Sequence, residues 1–266
     1  MTQRKQGLEA VQAMFERSAD AGRAAFLPYF PIGYPDYEAS LDAIMAMAEA
    51  DVDGFEIGVP FSDPIADGAT IQAATQIALQ NGTTVTHCLQ AVRTLRERGV
   101  QQPMMMMGYA NPLIAYGTER FVQAAKDAGA DGLIVPDLPP EEAHYFADAC
   151  AKAGLALVFF LAPTSNIERI KQAAQNATGF IYVVSLVGIT GARADLSTDL
   201  QAFIGRIRQQ TQTPLVLGFG ISTPDHARRM NGLVNGFIVG SALVRAGEQG
   251  TEAVRELAQS LREALD

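Results

Sequence analysis

The 266-residue chain is poor in lysine, histidine and cysteine, and it has no long apolar run. Its two cysteines, Cys88 and Cys150, are too few for a disulfide framework, so nothing points outside the cytosol. Residues 1–22 contain no apolar core of a signal peptide and read as an amphipathic helix. No apolar stretch approaches the ~18 residues of a membrane span. Positive charge is also short. The 20 Lys+Arg against 29 Asp+Glu leave a net charge of −9, which argues against a nucleic-acid partner or a polybasic membrane anchor. A small anion held by backbone amides stays open. These absences lead us to expect a soluble, cytoplasmic protein.

The missing residue types also restrict the chemistry. The lysines are Lys5, Lys126, Lys152 and Lys171, and none falls in a predicted strand. Schiff-base chemistry needs a desolvated strand lysine, so it has no support. His87, His144 and His226 all fall in helical stretches without metal-ligand spacing, and we expect no metal site.

What is there is a rhythm. Hydrophobic residues make up 48% and charged residues 18%, the composition of a folded globule. Eight short apolar runs end in turn formers: 24–30, 54–60, 103–109, 132–137, 155–163, 179–185, 214–220 and 236–241. Helical patterns fill the gaps at 38–50, 70–98 (broken near Asn81-Gly82), 118–128, 141–153, 166–176, 197–209, 223–231 and 250–264. Strand then helix, eight times, predicts an α/β fold, a single (β/α)8 TIM barrel over 1–266. The 7–21 helix is an extra N-terminal piece closing its bottom. The same alternation also permits an open doubly wound sheet, but no nucleotide fingerprint accompanies it. Met104–Met107 make an unusual third strand, which we read as adaptable core filling.

In such a barrel the chemistry sits after the strands, at their C-terminal ends. In the second run, alternation turns Phe55, Ile57 and Val59 toward the helices and Glu56 and Gly58 into the barrel. A buried carboxyl is costly unless it is neutralised, paired or used, and burial raises its pKa toward the range of a general acid. A salt bridge is the competing explanation, weakened by the scarcity of strand-borne Lys and Arg. The following loop adds Asp63 and Asp67, and Asp137 follows the fourth strand. Each could equally serve a turn, and spacing alone does not choose among them. The last three strand-end loops are glycine-rich: Gly188-Ile189-Thr190-Gly191, Gly218-Phe219-Gly220-Ile221-Ser222 and Gly240-Ser241. Such loops let backbone amides surround a phosphate.

The segment Glu56-Ile57-Gly58-Val59-Pro60-Phe61-Ser62-Asp63-Pro64-Ile65-Ala66-Asp67-Gly68-Ala69-Thr70-Ile71-Gln72 closely resembles the signature of the tryptophan synthase α subunit family. The likeness continues through 28–35, Tyr109-Ala110-Asn111-Pro112, 132–139 and 188–191. The resemblance implies a lyase that cleaves indole-3-glycerol phosphate to indole and glyceraldehyde 3-phosphate. It assigns the catalytic acid to Glu56 and the second carboxylate to Asp67. It assigns substrate contacts to Tyr182, Phe30, Ile71, Gly191, Phe219, Gly220, Gly240 and Ser241. Asp63, Pro64, Asn111 and Pro112 match positions facing a β subunit in an α2β2 tetramer. No cofactor is implied in this chain, since pyridoxal phosphate belongs to the β partner. Ser185-Leu186-Val187 precedes Gly188, where some relatives carry an arginine; Arg193 is a nearby substitute. The same signature also fits a free-standing lyase, or a weakly active partner that mainly activates the β subunit.

Overall fold

The computed structural model describes residues 4–184, 198–218 and 220–266. Eight parallel strands close a barrel in sequence order. They are β1 (Ala25–Pro31), β2 (Phe55–Gly58), β3 (Met104–Met107), β4 (Gly132–Ile134), β5 (Ala156–Leu161), β6 (Ile181–Val184), β7 (Leu215–Gly218) and β8 (Gly236–Val239). Each coincides with one of the eight apolar runs, β1 overrunning its run by the one residue Pro31. Closure excludes the open sheet and leaves no free edge. Since β2 and β6 stand four strands apart in either direction, they face each other across the lumen.

The helices are α1 (Leu8–Asp20), α2 (Tyr37–Glu49), α3 (Ala69–Gln80), α4 (Val85–Glu97), α5 (Ala110–Tyr116), α6 (Thr118–Ala128), α7 (His144–Ala153), α8 (Ile167–Asn176), α9 (Thr198–Arg208), α10 (Pro224–Arg228), α11 (Ser241–Gly247) and α12 (Thr251–Glu263). Local chemistry sets many boundaries. The Asp36 carboxylate accepts from Ala39 N at 2.9 Å and starts α2. Thr84 and His87 form a reciprocal capping box at α4. The expected break between α3 and α4 occurs at Asn81-Gly82, where Gly82 takes φ 78°.

Two helices escape the sequence pattern. α5 contains Pro112, which looks like a breaker but sits in the first turn, where its missing N–H costs nothing. α11 has only seven residues, too few to show a period. None of the described helices is long and apolar enough to cross a membrane.

The barrel bottom is sealed by α1. Met14 lies against Gly54, Val11 against Gly179, and Phe15 against Gly236 and the Phe180 ring. Gly54, Gly179 and Phe180 lie just before strands, and Gly236 opens β8. The fully buried Asp131 anchors the segment before α1. It accepts from Gly7 N at 2.8 Å, Arg4 at 3.0 Å, Arg96 at 2.6 Å and Met104 N at 3.0 Å. The expected bottom-closing helix is therefore present, held by a paired buried carboxylate.

Candidate active site

Strand alternation builds the site. Parallel register sets Tyr29 beside Glu56 and Glu56 beside Met105. Phe160 lies beside Tyr182 in the same way. The side chains of Tyr29, Glu56, Phe160 and Tyr182 meet in a cavity of about 280 Å³ at the C-terminal ends of the strands. Ile71 and Met107 also line it. Gly220, Ser222, Gly240 and Ser241 form a polar margin.

Glu56 is 3% exposed. Among the described residues it forms no ion pair, so the salt-bridge explanation is not met. Burial first, and the nearby Asp67 charge second, push its carboxyl up to about 8. Asp67 lines the same cavity from the loop after β2. Burial raises it to about 6, while a hydrogen bond from Tyr109 opposes that rise. Between these values one carboxyl is neutral and the other charged, as general acid chemistry requires. Their mutual influence makes the two values a property of the pair. Tyr29 and Tyr182 are both pushed well above the ordinary phenol range, chiefly by burial, and stay protonated.

Tyr109 was not singled out from sequence. Its hydroxyl accepts from Ala66 N at 2.9 Å and bonds Asp67, so it pins the loop that carries Asp67. Its ring also packs 5.3 Å from that of Phe61, at the start of the same loop. Asp137 resolves as structural: it accepts from Ala110 N at 2.9 Å and caps α5, directly after Tyr109.

Seven of the expected site residues therefore come together: Glu56, Asp67, Ile71, Tyr182, Gly220, Gly240 and Ser241. Phe30 does not, and its expected substrate contact is corrected. It pairs with Ile57 on the outward face, against Tyr34 and Gly247. A shift of one residue along a strand reverses the face, and the inward residue is Tyr29. Gly191, Phe219 and Arg193 lie outside the described residues. Asp63, Pro64, Asn111 and Pro112 occupy the loop after β2 and α5, on the rim of the same end. Asp63 and Asn111 are exposed there, and Pro64 and Pro112 half-buried. Met104, Met105 and Met106 fill the core as expected, while Met107 also lines the cavity. Tyr29, Phe160 and Arg245 were missed as well. Tyr29 and Phe160 share the inward face of Glu56 and Tyr182, and the strand register is what picks them out.

A closed (β/α)8 barrel with two perturbed carboxyls at one mouth defines a barrel enzyme. The family model described as "Tryptophan synthase alpha chain" matches residues 15–265. The chain belongs to the tryptophan synthase alpha chain family. It is 52% identical to the tryptophan synthase alpha chain of Roseiflexus sp. (strain RS-1) over 86% of this chain and 88% of that one. It is 47% identical to that of Chloroflexus aggregans over 89% of both. Among solved structures, Mycobacterium tuberculosis tryptophan synthase superposes with a TM-score of 0.91 at 35% identity, covering 98% of this chain and 99% of that one. Tryptophan synthase subunit alpha from Legionella pneumophila gives 0.89 at 33% identity, covering 97% and 98%.

Proposed function

We propose that this chain cleaves indole-3-glycerol phosphate into indole and glyceraldehyde 3-phosphate. The observation that carries the reading is Glu56: a buried carboxyl without an ion pair among the described residues, sharing a cavity with Asp67. Carbon–carbon cleavage needs an electron sink, and the indole ring supplies one once C3 is protonated. Protonated Glu56 delivers that proton. Ionised Asp67 accepts a hydrogen bond from the ring N–H and stabilises the positive charge that grows there. The Glu56 carboxylate then takes the proton of the C3′ hydroxyl as the C3–C3′ bond breaks. The bonding electrons return to the ring, and the hydroxyl carbon leaves as an aldehyde. Tyr29, Tyr182 and Ile71 enclose the ring. Gly220, Gly240 and Ser241 receive the phosphate, joined in this reading by Gly191 and Phe219.

The reading extends to a partner. Asp63, Pro64, Asn111 and Pro112 share the rim of the cavity mouth, and family membership supports a β subunit docking there in an α2β2 assembly in the cytoplasm. The β subunit would carry pyridoxal phosphate and receive the indole, while this chain works without a cofactor. Measuring indole release by the purified chain, alone and with β subunit, tests this. Slow release alone with a large rise on mixing is the expected result. Fast release indifferent to the β subunit would instead mean a free-standing lyase, and no release in either case would overturn the proposed reaction.

A further inference from the structure

Arg245 is the one lysine or arginine, among the described residues, that lines the cavity. It follows Ser241 by four positions on α11, and residues so spaced share a helix face. Helical side chains also lean toward the helix N-terminus, so Arg245 is directed back to the Gly240-Ser241 margin. Its Nη1 donates to Thr70 Oγ1 at 3.2 Å, which tethers the side chain to the start of α3. A guanidinium has five N–H donors, so this tether leaves most of the fork available.

Its charge is also available. Arg98 pairs with Glu38 and Asp42, and Arg169 with Glu141. Among the described residues no carboxylate pairs with Arg245. The ionised Asp67 carboxylate, which shares the cavity with protonated Glu56, would repel an incoming dianion. Neutral amides and hydroxyls at the margin can hydrogen-bond a phosphate but bring no net charge. From this arrangement we infer that Arg245 is a specificity-determining residue that selects an indolyl phosphate monoester over an indole ligand without a phosphate. The inference rests on the proposed phosphorylated substrate.

The test is calorimetric binding of 3-(indol-3-yl)propyl phosphate and of free indole to the full chain and its variants. Arg245→Gln should weaken the phosphate ester about tenfold, the scale of one charge-assisted hydrogen bond. It should flatten the salt dependence of ester binding and leave indole binding unchanged. Arg245→Lys should recover part of the loss, since it restores charge without the fork. Unchanged ester affinity in Arg245→Gln would overturn the inference while leaving the cleavage reading intact. Equal loss for ester and indole would also overturn it, because that marks a structural role. A wild-type chain that fails to bind the ester would sink both readings.

Discussion

Phe160 and Tyr182 stack in register on neighbouring strands, with ring centroids 4.4 Å apart and planes 20° apart. Together they form a flat wall opposite Glu56, since β6 faces β2 across the barrel. Gly218 on β7 makes room for that wall: a Cβ there would overlap the Tyr182 ring. Gly218→Ala should therefore displace a buried ring, destabilise the fold by about 1–3 kcal/mol and impair indole binding. Urea unfolding and indole titration read the two effects separately.

The pH–rate profile should be bell-shaped. Asp67 must be ionised and Glu56 protonated, so activity rises through about 6 and falls through about 8. Both limbs should appear in kcat/KM for indole release. A flat profile from pH 5 to 9 would contradict the assignment.

Glu56→Gln should abolish cleavage, by about 100-fold or more, the usual worth of general acid–base catalysis. Asp67→Asn should lose activity less completely. The Glu56 variant also carries a stability signature. The folded carboxyl holds its proton up to about 8, while the unfolded one releases it at ordinary carboxyl pH. Between those values the native state binds more protons, so wild-type stability falls as pH rises. Glu56→Gln removes that loss. Its gain over wild type should be near zero at pH 4 and on the order of 5 kcal/mol by pH 9. Thermal unfolding at both pH values checks the sign.

Tyr109→Phe keeps the ring against Phe61 but removes the hydroxyl that Ala66 N and Asp67 share. The hydrogen bond favours ionised Asp67, so its loss should move the acid limb of the pH–rate profile to higher pH. The alkaline limb should stay in place. A uniform fall in rate with both limbs unmoved would mean that Tyr109 only packs.

Asp131→Ala should cost about 3–5 kcal/mol in urea unfolding, because it strands Arg96 next to the core. Burial already draws the Arg96 guanidinium down to about 10, so it has little tolerance for losing its carboxylate partner.

Much of this architecture was legible in the sequence because each strand is a short apolar run closed by turn formers. The inward direction of Glu56 followed from simple alternation with Phe55 and Ile57. Phe30, assigned by resemblance and not by alternation, is where the reading slipped. Pro28-Tyr29-Phe30 offers two adjacent aromatics in an all-buried strand, so hydrophobicity does not reveal the face, and only the register against Glu56 selects Tyr29. Tyr109 and Arg245 were hidden for another reason. Their contacts, to Ala66 and Thr70, join segments 43 and 175 residues apart, and no local pattern encodes such pairs. α5 was masked by Pro112, a residue whose meaning depends on its place within the helix turn.

The α1 seal gives the barrel the character of a blind tube. With Met14, Phe15 and Val11 stopping one end, whatever enters among Tyr29, Glu56 and Tyr182 comes, as far as the described residues go, by the doorway at the opposite end, and its fragments would leave by the same route. Traffic through that doorway is then governed from outside the tube: a protein seated on the rim at Asp63 and Asn111 would be gatekeeper and recipient at once.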